Sequence, residues 1–96
     1  MTPPAVLLAC DDSAMIRDVA AAFEEEGVPL RVIEPTSPRA AALQSPLGIG
    51  IAPHDGLLAI ALSTGPDLPY LIGDDPRRMG RYAARLAARR PLGVPG

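Results

Sequence analysis

The 96-residue chain is of a size for one domain with a modest core, and 48% of its residues are hydrophobic, which excludes a disordered chain. Its net charge is −2, all nine basic residues are arginine, and only three aromatics are present, so a broad basic face with interleaved aromatics for nucleic acid is excluded. No apolar run approaches the ~20 residues of a membrane span, and residues 1–4 lack the basic start of a signal peptide, so the expected location is cytosolic.

Residues 5–10 are wholly apolar without alternation, the pattern of a strand buried on both faces in a parallel sheet. Its Cys10 is the one cysteine, which excludes an internal disulfide and fits a reducing compartment. Asp11, Asp12 and Ser13 follow as N-cap residues for a helix beginning near Ala14. Ile16, Val19, Ala20 and Phe23 recur at helical spacing as its apolar stripe, and Gly27 stops it. A second strand, opened by Pro29, covers 30–33. Thr36-Ser37-Pro38 then caps a second helix running to about Gln44.

Residues 48–52 read as a third strand whose glycines permit close packing, and 53–56 as a turn. The strand that follows, 57–62, comes so soon that it must be an antiparallel neighbour. After a Gly65-Pro66-Asp67 loop comes a short strand at 70–72. Asp74-Asp75-Pro76 opens a last helix to about Arg89, with Met79, Tyr82, Ala83 and Leu86 as its apolar stripe. Arginines 77, 78, 81, 85 and 89 occupy its other faces, and 91–96 reads as a loose tail of the single domain 1–96.

The unusual charge arrangement is Glu24-Glu25-Glu26 in the last turn of the first helix. Carboxylates there oppose the helix dipole, each by roughly 0.3–1 kcal/mol, and a nearby cation is the simplest compensation. At about 100° per residue Glu25 lies opposite the apolar stripe, with Asp18 and Ala21 on the same outer face. That face is a candidate for a partner surface or a shared metal ion; a solvated charged face is the alternative. Charge is also uneven along the chain: residues 1–48 hold seven acids and three arginines, residues 49–96 four acids and six arginines, which points to a protein partner.

Catalytic groups are sparse. His54 is the only histidine and lies in a turn, no Gly-rich phosphate loop is followed by Lys-Ser or Lys-Thr, and one cysteine with one histidine cannot close a zinc site. A carboxylate such as Glu25 can still supply one ligand to a Mg²⁺ or Ca²⁺ completed by another chain. The acidic pair after the first strand raises a phosphoreceiver domain, but the third strand ends in Ala52-Pro53 and lysine is absent, so that reading fails. These absences predict a non-catalytic subunit that works by contact.

In ordered combination, Glu24 to Pro29, Ser45-Pro46-Leu47, Gly50-Ile51-Ala52, Leu68-Pro69-Tyr70-Leu71, Gly80, Ala83-Ala84-Arg85-Leu86 and Pro91 resemble the small subunit of diol and glycerol dehydratase reactivases. That family is related to the medium subunit of the coenzyme-B12-dependent dehydratases. The resemblance implies a three-layer α/β/α domain with a mixed five-stranded sheet, strand four antiparallel, in agreement with the strand order read from the residues. It further implies a subunit that exchanges with a dehydratase subunit so that damaged cobalamin leaves. Its partners would be a large Hsp70-like ATPase subunit and, transiently, the dehydratase large subunit, in the cytoplasm or beside a bacterial microcompartment.

By the same likeness Glu25 is a ligand to a metal held mainly by the large subunit, and the chain alone binds no cofactor. Arg85, inside a matched segment, makes the last helix a second candidate docking face, with a solvated helix face as the alternative. The sequence departs from the pattern at Asp11-Asp12, at Arg81-Tyr82 and in its short polar tail. A dehydratase medium subunit is the first alternative, and medium subunits generally carry extra sequence ahead of this domain; a generic α/β interaction domain is the second.

Overall fold

The computed structural model describes residues 3–66 and 68–92, with side chains through Ala88. In chain order the elements are β1 (Val6–Ala9), α1 (Ser13–Glu26), β2 (Leu30–Ile33), α2 (Pro38–Gln44), β3 (Ile49–His54), β4 (Leu57–Leu62), β5 (Leu71–Gly73) and α3 (Pro76–Leu92). They build one five-stranded sheet of order β2-β1-β3-β4-β5. β1 runs parallel to β2 and β3, whereas β4 is antiparallel to both its neighbours. The expected architecture is therefore the one observed.

Alternation along the strands sorts side chains into two unequal layers. Val6 and Leu8 of β1, Ile49 and Ile51 of β3, and Leu58 and Ile60 of β4 face α1 and α3, where Val19, Phe23, Met79 and Ala83 complete the main core. The opposite layer, under α2, is made of small residues: Ala9, Ala41 and Ala52, with Leu7 as its one large buried side chain. Gly50 lets α2 come this near, because a Cβ there would lie 2.3 Å from the Ala42 nitrogen. Ser45, the one buried polar side chain among the described residues, closes this layer. Its hydroxyl donates to the Ala5 carbonyl at 2.7 Å and accepts from the Leu47 amide at 3.1 Å.

The ends of the helices follow local chemistry. The Asp12 carboxylate accepts from the amides of Ala14 and Met15, and Ser37 Oγ accepts from the Ala40 amide, satisfying helix-terminal donors that otherwise lack partners. Cys10, just beyond β1, is buried.

Three expectations need correction. Pro53 and His54 are not turn residues: they extend β3 in register with Leu58 and Leu57, and the turn is Asp55-Gly56 alone. Both have positive φ, 51° and 78°, which is the two-residue turn whose twist matches a hairpin. β1 pairs with β3 only at Gly50 and Ile51, so Pro53 lies beyond that pairing, where its missing N–H costs nothing.

On α3 the buried face is Met79, Gly80, Ala83, Ala84 and Ala87, while Tyr82 is exposed and Leu86 half-buried. The stripe is rotated because the helix turns its smallest residues toward α1. A Cβ at Gly80 would stand 3.0 Å from Ala22 Cβ and 3.1 Å from Val19 Cα, so the two helices meet almost backbone to backbone. Lastly, α3 passes Arg89 and takes in the first two residues of the expected tail; residues 93–96 lie outside the described residues.

Candidate partner-binding face at the acidic turn

α1 ends as Gly27 requires. With φ 70°, Gly27 donates to the Glu24 carbonyl at 3.2 Å and Val28 donates to the Phe23 carbonyl at 3.1 Å. This paired closure needs a left-handed residue at its centre, and Val28 then folds back onto the core that holds Phe23. The last turn of α1 contains no basic residue, so its three glutamates face the carbonyl end of the helix uncompensated by α1 itself.

Compensation comes from α3. Arg77 Nη2 donates to Glu25 Oε2, and Arg85 Nε donates to Glu26 Oε2 at 3.3 Å. Two features put the arginines there. Gly80 draws α3 against α1, and Asp75 fixes the first turn of α3 by accepting from the amides of Arg77 and Arg78 at 3.0 and 3.3 Å. Both ion pairs are partly open to water, with side-chain exposures of 42% and 52% for Arg77 and Glu25, so screening holds each to about 0–1 kcal/mol. Arg77 Nε is buried with no hydrogen-bond partner, and the guanidinium is anchored through Nη2.

Asp18 and Glu25 are exposed on α1 and Ala21 between them is half-buried, at the i, i+3, i+7 spacing of one face. Arg85 sits on the neighbouring helix and is tied to this turn through Glu26. The residue that sequence reasoning did not connect is Arg77. The sequence places it only among the arginines on the outer faces of the last helix, and no local signal links it to a glutamate on another helix.

The residues can hold a metal only in one way. Among those described, no three His, Cys, Asp or Glu side chains gather into a cage, so Glu25 fits as a single ligand to an ion completed elsewhere. Its Oε1 is not engaged by Arg77, whereas Oε2 is. Among the described residues, His54 lies 3.6 Å from Asp55 on the exposed end of the hairpin, and the Cys10 sulfur is buried beside Met15, far from His54 in the chain.

No protein-family profile matches the chain, and no curated protein sequence does. Two solved structures do. A diol dehydratase-reactivating factor complexed with ADP and Mg²⁺ aligns with 28% identity and a TM-score of 0.72 over 91% of this chain and 94% of that one. This chain is similar to dehydratase reactivases. A glycerol dehydratase reactivase aligns with 25% identity and a TM-score of 0.76, over 95% of this chain and 96% of that one. Similarity at this level across nearly the whole chain supports a role related to dehydratase reactivation.

Proposed function

We propose that this chain is the small subunit of an ATP-dependent reactivating factor for a coenzyme-B12-dependent diol or glycerol dehydratase. It acts by exchanging with a dehydratase subunit so that damaged cobalamin is released. The observation that carries this reading is coverage in both directions: the reactivase chains are matched over 94% and 96% of their own length. The likeness is thus to chains of about this size. The chain has no lysine and no phosphate loop, which supports assigning nucleotide hydrolysis to a large subunit and a non-catalytic role to this one.

Exchange requires one surface with two partners and a switch in which is preferred. A ligand shifts such an equilibrium only by its differential affinity, so nucleotide state in the large subunit must alter how well it holds this chain. The acidic turn suits that contact. A shared Mg²⁺ or Ca²⁺ would supply a charge-dependent bridge through Glu25; the chain's own contribution is to aim that carboxylate outward from a rigid helix end. Arg77 holds Glu25 in the free chain and must share or release it on docking. The site of action is the cytoplasm, including the surroundings of a microcompartment.

The test is co-purification of the chain with the candidate large subunit and with the dehydratase, with and without ATP, for wild type and Glu25→Ala. Nucleotide-dependent transfer to the dehydratase, with the variant weakened in large-subunit binding, is expected. A chain that stays on the dehydratase whatever the nucleotide is a medium subunit, and the reactivase reading is then withdrawn.

A further inference from the structure

Of the chain's three aromatic residues only Phe23 is buried, while Tyr70 and Tyr82 are 58% and 44% exposed. Both stand at the edge of the sheet beside β5, the last strand, whose outer backbone has no strand partner among the described residues. Two hollows lie along this edge between β5 and α3. The one at the Tyr70 end is apolar, lined by Tyr70, Leu71, Tyr82 and Leu86, with Arg85 beside them. The one at the Gly73 end carries both signs of charge and is lined by Ile72, Asp74, Asp75 and Arg78. Tyr82 lines both, so it marks the middle of the edge.

An open edge is a template for another strand. The groups beside this one select which strand. Because the mixed hollow holds two acids and an arginine, an acidic or a basic strand would meet a like charge there. Arg85 is already paired with Glu26, so it does not tip the edge toward an acidic partner. The group that suits a hollow of both signs is a tyrosine, whose ring face attracts a guanidinium and whose hydroxyl donates to a carboxylate. Tyr70, at the other end of the same edge, is such a group. A two-fold axis through the middle of β5 delivers it, and every contact is then made twice.

We propose that two copies of this chain pair through β5, antiparallel about Ile72, so that their five-stranded sheets become one continuous sheet. In that register Leu71 lies opposite Gly73 of the copy, and Ile72, 43% exposed in the single chain, meets its own counterpart. Each Tyr70 comes against the other copy's Asp74 and Arg78, and the two Tyr82 rings face each other across the axis. A ladder of three residues is short, so α3 and its copy must supply the remaining contact through this tyrosine. The pairing does not depend on the proposed function. On the exchange reading it is the form the chain takes between partners, and a partner that uses the same edge has to separate it first.

The experiment uses the full chain alone, by sedimentation equilibrium over a wide range of concentration and by amide hydrogen exchange at residues 71–73 in dilute and concentrated samples. The expected result is a mass that rises from one chain to two, with those amides exchanging at least tenfold more slowly when concentrated. Tyr82→Arg, which sets like charges on the axis, and Ile72→Lys should each weaken self-association at least tenfold, with the unfolding temperature of the dilute chain unchanged. A chain that stays monomeric overturns the pairing. So does a dimer whose 71–73 amides exchange as in the monomer and which both variants leave intact. Protection of 71–73 that requires the large subunit of the reactivase gives the edge to that partner and also overturns it. None of these outcomes alters the co-purification result, so the two readings fail separately.

Discussion

Replacing Gly50 by alanine adds one methyl group at the most closely packed of the described glycines. The new Cβ would lie 2.3 Å from the Ala42 nitrogen, 2.6 Å from the Pro38 oxygen and 2.7 Å from the Ala41 carbonyl carbon. All three are backbone atoms of α2, so no side chain can rotate away and the whole helix must lift. Overpacking costs about 1–3 kcal/mol, and a contact made only of backbone belongs at the top of that range. Gly50 has no positive φ, so alanine also gains about 0.4–1 kcal/mol by restricting the unfolded chain. The net loss is about 2 kcal/mol. For a domain of this size each kcal/mol moves the unfolding midpoint by ~4–8 °C, giving a fall of ~8–16 °C in a far-UV circular dichroism melt. A midpoint within about 4 °C of wild type would refute the packing argument. Gly80→Ala is the control: its contacts, at 3.0 Å and 3.1 Å, need only a small shift, and the better helix propensity of alanine returns about 1 kcal/mol. Its melt should stay close to wild type.

Arg77→Met should cost under about 1 kcal/mol in denaturant unfolding, because the pair it breaks is partly exposed, yet it should tighten Mg²⁺-dependent association with the large subunit by freeing Glu25. Weaker association would instead make Arg77 a residue that positions the carboxylate. Asp12→Ala removes acceptors for two helix-terminal amides and should lower stability by about 1 kcal/mol, read from the same unfolding curves. Cys10 is buried, so its alkylation by iodoacetamide should be slow in the native state and rapid in urea; equal rates would show that the β1–α1 corner opens freely.

Much of the fold was legible because local signals and global order agree. β1 reads as buried on both faces and is flanked by two parallel strands; the caps at Asp12, Ser37 and Asp75 and the stop at Gly27 stand where their chemistry places them. The misreadings share a cause, which is that polarity and size are separate variables. Tyr82 counts as apolar in a periodicity and Ala84 and Ala87 barely register, but a close helix crossing selects small residues for its interior and pushes the large ring out. Pro53 and His54 look like turn formers, though a two-residue turn needs positive φ only at Asp55 and Gly56. At the site, the outward position of Glu25 follows from helix geometry. Its pairing with Arg77 does not, since it arises only after Gly80 has brought two helices together from opposite ends of the chain.

The placement of β1 bears on the order of folding. Leu7 pairs with Arg31 on one side and Gly50 on the other, so this strand gains its second partner only after α1, β2 and α2 have been laid out between them. The β3–β4 hairpin, by contrast, closes over two residues. Hairpins of this kind form in roughly microseconds, whereas long-range parallel pairing must first overcome the entropy of closing a large loop. The hairpin is thus the early element and insertion of β1 beside it the slow one. Truncating Val6 or Leu8 should slow refolding, while changes confined to Asp55-Gly56 should register in how fast the first structure appears.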